Sequence, residues 1–436
     1  MRNPEFHVTR ERLEKAILVT VEEIGKEEYA IKDRALELKD LVESAGAKIV
    51  AEIECRRKFL TSNFLIGKGK VEEIASLIPE LGAQVVVFSD DLSPSQQKNL
   101  EDILEVKTID RTQLILDIFA RRATSSEGKV QVELAQLEYL LPRLTGKGIH
   151  LSRIGGGLGT KGPGEQKLEV DRRRVRGRIS KLKKDLKDIA GQRHLRRAQR
   201  EKFSMLSIAL VGYTNSGKST LFNALTGADV AVKDQLFSSL DPTVRKMRLP
   251  NNQTVLLSDT VGFLHDLPHH LIESFKSTLE EVLSADILFH VVDMSDPRTK
   301  MLKDSVFEVL KELGVEDKPV YTILNKVDKV PEEIEVERIK RAFPDPIVIS
   351  ALNKAGLSDV VGRIVDHMED DLVDIEIILP HKDYALARAI KENGIVKKEE
   401  FKDEGVFIKG KVPKRVKYSI FKKLDLKTGT EDEGDR

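Results

Sequence analysis

The nine residues GYTNSGKST, Gly212–Thr220, constrain this chain more than any other stretch. They fit the spacing G-x-x-x-x-G-K-[ST], follow the apolar run SIALV and precede the helix-like STLFNALTG. Between a strand and a helix, such glycines let backbone N–H groups wrap a phosphate with no Cβ in the way, and the helix N-terminus adds its dipole. Gly212, Tyr213, Thr214, Asn215, Ser216, Gly217 and Thr220 would then form the cradle. Lys218 would supply a point charge to the β- and γ-phosphates, and the Ser219 hydroxyl would ligate Mg2+. A merely structural Gly-rich turn would not need Lys218 and Ser219 together. The context also predicts a parallel α/β fold. Between Met205 and Met368 the runs LSIALVG, TVLLSDT, DILFHVVD, PVYTILN and DPIVIS read as strands buried on both faces.

Two further motifs bear on which nucleotide is held. NKVD, Asn325, Lys326, Val327 and Asp328, closes the strand-like VYTIL. The Asp328 carboxylate can accept from both guanine N1–H and its 2-amino group, whereas adenine would leave that carboxylate unpaired. SAL, Ser350, Ala351 and Leu352, follows another strand and would brace the base with backbone N–H groups. Upstream, Asp259, Thr260, Val261 and Gly262 end a strand, where a carboxylate holds the Mg2+ shell through water and a glycine N–H meets the γ-phosphate. A first switch falls in FSSLDPTVR, with Phe237, Ser238, Ser239, Leu240 and Asp241 in reach of nucleotide. It must supply a hydroxyl to Mg2+, and Ser239 and Thr243 both qualify. After Gly262, where Ras-type enzymes carry a water-orienting glutamine, stands Phe263. It cannot position water through a hydrogen bond, so no residue of the chain is assigned as catalytic.

At 436 residues the chain has room for two to four domains. With 40% hydrophobic and 33% charged residues it reads as globular rather than disordered. Strand-like runs at 16–22, 48–54, 84–89 and 106–109 alternate with helical patterns around 29–45, 70–79, 93–104 and 111–122. They predict a small parallel α/β domain over residues 1–125. Val130, Leu134, Leu137 and Leu141 then form one apolar stripe. Leu168, Val175, Leu182 and Ile189 recur every seven residues, with Ile179 and Leu186 between them. Two stripes joined by a Gly-rich segment predict an antiparallel helical hairpin over 126–203. Net charge is zero, yet Arg143–Lys202 carries 19 Lys/Arg against 6 Asp/Glu, an electrostatic footprint for a polyanion. The nucleotide domain is expected over 204–369. A small unit, βαβ-like or α+β, follows over 370–436, with a helix at 383–392 and a disordered acidic tail. No apolar run approaches the ~20 residues of a membrane span. No signal peptide is seen, and the single cysteine, Cys55, suits a reducing cytoplasm.

The ordered set GYTNSGKST, FSSLDPT, DTVGF, NKVD and SAL resembles the HflX family of translation-factor-related GTPases. LSRIGGGLGTKGPGEQKLEVDRRRVRGRI is close to that family's signature, and FLIGKGKVEEI at 64–74 is similar to its N-terminal domain. The resemblance covers most of residues 10–365. It implies a multidomain α/β protein: an N-terminal α/β domain with a helical hairpin, then a Ras-like GTPase domain with Mg2+ and GTP or GDP as ligands. It also implies binding to the large ribosomal subunit and splitting or rescue of stalled ribosomes. The Mg2+ hydroxyl of that family's switch maps to Ser239 rather than Thr243. Arg153, Lys161, Arg172, Arg173, Arg174 and Arg176 become the expected contacts to ribosomal RNA, and a monomer is expected. A tRNA-modifying GTPase would need a nucleophilic cysteine near its C-terminus, and Cys55 is not there. A G domain gating a transporter would need a span. An RNA chaperone merely liganded by GTP remains an alternative, marked by RNA binding that ignores nucleotide state.

Overall fold

The computed structural model describes residues 13–23, 31–57, 61–144, 163–201, 205–228, 237, 242–251, 253–264, 279–315 and 317–424. They form two compact units. The first holds the described residues up to Ile189 together with Phe237 and Leu264, and the second holds the others.

In the first unit β1 (Lys15–Glu23), α1 (Ile31–Ser44), β2 (Lys48–Arg57), α2 (Lys68–Leu81), β3 (Val85–Phe88), α3 (Pro94–Leu104), β4 (Lys107–Asp110) and α4 (Arg111–Arg122) alternate as expected. The sheet is parallel throughout, in the order β2-β1-β3-β4. Local signals set the boundaries. Ser93 and Gln96 form a reciprocal capping box at the start of α3, with Pro94 in its first turn. Gly82, at φ 64°, closes α2. Helix α5 (Ser126–Arg143) and helix α6 (Pro163–Glu201) follow, the residues of α6 from Ala190 on being assigned to the second unit. The two expected stripes meet: Val130, Leu134, Leu137 and Leu141 pack with Val175, Ile179, Leu182 and Leu186. Arg178 donates to both carboxylate oxygens of Glu133, at 2.6 and 2.7 Å, and Lys183 pairs with Glu138 at 2.8 Å. The Gly-rich joint between these helices lies outside the described residues.

The second unit contains β5 (Ser207–Val211), α7 (Lys218–Thr226), β6 (Thr243–Arg248), β7 (Thr254–Asp259), α8 (Glu280–Ser284), β8 (Ile287–Asp293), α9 (Thr299–Glu312), β9 (Val320–Asn325), α10 (Glu333–Lys340), β10 (Ile347–Val348) and α11 (Leu357–Asp370). The sheet order is β10-β9-β8-β5-β7-β6, parallel except for the β6–β7 pair. Strand β6, TVRKMR, was not among the expected strands because it is an edge with charged side chains rather than an apolar run. Three more strands, β11 (Leu372–Leu379), β12 (Ile395–Lys402) and β13 (Gly405–Pro413), form an antiparallel sheet in the order β11-β13-β12. With α12 (Tyr384–Asn393) and α13 (Lys414–Lys423) this portion is α+β, which settles the choice left open by the sequence. No helix among the described residues is long and apolar enough to cross a membrane.

Candidate functional site

The carboxyl edge of the six-stranded sheet carries the motif residues. Strand β5 ends at Val211 and the chain turns through Gly212 at φ 152°, where a Cβ would fall 2.2 Å from the Val291 carbonyl oxygen. Gly217, at φ 95°, opens α7, and a Cβ there would meet the Asn325 amide nitrogen at 2.1 Å. Only glycine fits either position. Inside this loop Thr214 Oγ1 and Ser216 Oγ are buried and have no hydrogen-bond partner among the described residues. Orphaned buried hydroxyls cost about 1–3 kcal/mol each. A phosphate held by the loop would give both a partner, so the cradle fits the group its sequence implies.

Lys218 is the first residue of α7 and is buried, with Nζ donating to the carbonyls of Gly212 (3.1 Å) and Tyr213 (2.7 Å). Burial pushes its ammonium down to about 8, against the opposing pull of Asp259, with Lys326 lowering it further. The consequence for binding has a definite sign. A depressed lysine is partly neutral above its own pKa, whereas a phosphate beside it favours the charged form, so nucleotide binding near that pH takes up a proton. GDP binding is expected to draw about half a proton from solvent at pH 8 and almost none at pH 6.5. Titration calorimetry in two buffers of different ionisation enthalpy reads this directly, and no uptake at pH 8 would contradict it.

The Ser219 hydroxyl donates to Asp259 Oδ2 at 2.6 Å, and both side chains are buried. Two hard oxygen donors held together at the edge of a phosphate cradle fit Mg2+, which keeps most of its shell as water and phosphate oxygen. No group of three or more His, Cys, Asp or Glu that could hold a metal ion occurs among the described residues. Thr243 opens β6 directly opposite Asp259 in the ladder. Ser238, Ser239, Leu240 and Asp241 lie outside the described residues. Phe237 is described: it takes a left-handed φ of 56°, is buried, and its ring meets Phe119 edge-on with centroids 4.5 Å apart.

After Asp259, Thr260 is buried, its hydroxyl donating to the Leu210 carbonyl, and Val261 is buried too. At Gly262 a Cβ would sit 2.8 Å from Thr214 Cα and 3.0 Å from Lys218 Nζ. Phe263 comes next. Its N–H donates to the Gly212 carbonyl at 3.1 Å, and its own carbonyl accepts from Thr214 N–H at 2.9 Å. Its ring packs with Ala209, Val211, Val282 and Leu288, and the residue is only 2% exposed. Where a glutamine would align water, this residue ties the phosphate loop to the exit of β7 and fills the core.

The loops expected to read the base converge on Asn325 at the end of β9. Its side-chain amide donates to the Ser216 carbonyl at 2.9 Å and accepts from Ala351 N–H at 3.0 Å, joining three loops. Val327 N–H donates to the Ile349 carbonyl. Asp328 accepts from the Ser350 hydroxyl, which in turn accepts from Asn353 N–H. Ala351 N–H is thus committed to Asn325, while Leu352 stands 72% exposed. Lys326, at φ 64°, is held by an ion pair from Nζ to Asp293 Oδ2 at 2.6 Å. Sequence reasoning passed over Asp293. The signal available was a carboxylate at the end of VVD, the strand neighbouring the one that carries Asn325. Of the expected RNA contacts, Arg173, Arg174 and Arg176 are exposed on α6 and Arg172 is half-buried. Arg153 and Lys161 lie outside the described residues.

Three family models match the chain: "GTP-binding GTPase N-terminal" over residues 32–120, "GTP-binding GTPase Middle Region" over 122–200 and "50S ribosome-binding GTPase" over 207–326. It is similar to GTPase HflX of Lacrimispora saccharolytica, 44% identical over 412 residues, spanning 94% of this chain and 96% of the relative. It is also similar to GTPase HflX of Escherichia coli K12, 38% identical over 397 residues, spanning 90% and 92%. Among solved structures it is similar to a GTP-binding protein from Sulfolobus solfataricus in complex with GDP. That match is 28% identical, covers 81% of this chain and 98% of the other, and has a TM-score of 0.44.

Proposed function

The chain belongs to the HflX family of GTPases, and from that premise we propose that it is a GTP-driven switch on the large ribosomal subunit that splits or rescues stalled ribosomes. As a P-loop GTPase it turns GTP into GDP and phosphate. Lys218 and the N–H groups from Gly212 to Thr220 hold the phosphates, and Asp328 reads guanine, oriented by Ser350. Asn325 locks the base loops to the phosphate loop. Ser219, with Ser239 from the first switch and Asp259 through water, would hold Mg2+. That ion would supply charge neutralisation to the phosphates.

The proposed organisation is an α/β domain over 1–125, an antiparallel hairpin over 126–203, the GTPase domain over 204–369 and a small domain over 370–436. Phe263 carries the proposal. Among the described residues the site has groups for the phosphates and for the base, and a packed phenyl ring where a water-aligning amide would stand. A switch so built waits for its partner. The partner is read from the cationic face of α6, with Arg153 and Lys161 added from the joint.

Pelleting with ribosomal subunits in GDP, in GTP and in a non-hydrolysable GTP analogue tests this. Retention on the large subunit is expected with the analogue and release with GDP. Changing Arg172, Arg173 and Arg174 together to glutamine is expected to weaken binding and flatten its salt slope by about two to three units, since each lost phosphate contact removes ~0.7–0.9. GTP affinity should not change. Retention that ignores the nucleotide would favour the chaperone reading instead.

A further inference from the structure

Helix α12, through Leu386 and Ile390, and helix α13, through Val416 and Ile420, pack into one core with Ile375 and Ile408 of the three-stranded sheet. Both helices therefore cover the same face of that sheet, and their outer sides form one surface. On α12 the exposed positions Tyr384, Arg388 and Lys391 are spaced i, i+4, i+7. On α13 the exposed positions Lys414, Tyr418 and Lys422 are spaced i, i+4, i+8, with Lys423 beside them. Helix α13 has the sequence KRVKYSIFKK, with five cations and no acid. Aromatic exposure among the described residues is concentrated here as well. Among the described residues the exposed aromatic side chains are Phe307, Tyr384, Phe401 and Tyr418; the last three belong to this small domain, and Tyr418 is 60% exposed.

Lysines in a last helical turn by themselves suit the helix dipole and need no ligand. That account covers Lys422 and Lys423. It leaves unexplained a tyrosine standing in solvent with a lysine one turn to either side, on a helix that carries no balancing carboxylate. Lys414 and Lys422 bracket the ring at about 6 Å along the axis on each side. A base stacked on the ring would thus have a cation near the phosphate before it and the phosphate after it. Aromatic platforms flanked by cations are how proteins hold unpaired nucleic acid strands.

We propose that the outer face of α12 and α13 is a docking surface for a single-stranded RNA segment. Tyr418 stacks on a base, and Lys414, Lys422 and Lys423 take the phosphates. This surface uses no residue of α6 and does not depend on the reading of that helix.

The test is fluorescence anisotropy of a labelled twelve-nucleotide oligouridylate with the full chain, in both the wild-type and the R172Q/R173Q/R174Q background. Tyr418→Ala is expected to lose about tenfold in affinity, the contribution of one stacked base, with an unchanged salt slope. Tyr418→Phe should restore binding. The K414Q/K422Q/K423Q protein should show a salt slope flatter by about two units. The same differences are expected in both backgrounds, so failure of α6 as a ribosome contact would leave them intact. A Tyr418→Ala protein that binds within twofold of wild type overturns the proposal. Equal competition by oligoglutamate also overturns it, and would give the surface to an acidic protein instead.

Discussion

Asp328→Asn is expected to lower guanine-nucleotide affinity by on the order of 10^4-fold and to create a preference for xanthine nucleotides. The reason lies in donors and acceptors. A carboxylate accepts from guanine N1–H and from its 2-amino group, whereas an amide presents one acceptor and one NH2. The structure fixes which end stays where. Ser350 donates its hydroxyl to Asp328 Oδ1, so the asparagine that replaces it keeps its carbonyl oxygen there and turns its NH2 to the other position. The NH2 then meets one of guanine's two donors, donor against donor, whereas xanthine carries a 2-oxo group in place of the 2-amino group and can offer it an acceptor. Leaving a buried donor unmatched is what makes such sites selective. Competition of GDP, XDP and ADP against a fluorescent nucleotide checks the outcome. Wild-type protein that binds ADP as tightly as GDP would remove the base-reading argument altogether.

How much of this was legible beforehand differed by level. The strands of both parallel sheets could be read because burial on two faces leaves near-continuous apolar runs, as VVVF and ILFHVVD show. Strands β6 and β12 could not, because TVRKMR and IVKKEEFK are edges whose charged residues hide the period. The α5 and α6 stripes were visible because helical spacing picks out one face, and the buried seam uses Leu134, Ile179 and Leu182 from those stripes. At the site, motif spacing identified Lys218, Ser219, Asp259, Asn325 and Asp328. It did not identify the groups that orient them. Asp293 reaches Lys326 from a different strand, and the orientation of Asp328 by Ser350 spans 22 residues of sequence. Such pairings are set by strand order in the sheet, which local pattern does not encode. Phe263 was noticed for what it lacks; its positive role is backbone pairing with Gly212 and Thr214, which any residue except proline could supply.

That pairing bears on turnover. With its ring in the core and its main chain bonded to the phosphate loop, Phe263 holds the cradle rigid but offers nothing to an attacking water. Water placement and compensation of transition-state charge are worth ~10^3–10^5 in rate when a partner supplies them. We therefore expect the free chain to bind GTP tightly and hydrolyse it slowly. Docking on the large ribosomal subunit would then bring the switch residues 237–245 and 259–268 into a competent arrangement. The most direct measurement is the turnover number at saturating GTP, with and without purified large subunits. A rise of 10^3-fold or more on adding them is the predicted result; equal rates in the two conditions would contradict it and require a catalytic group within the chain itself.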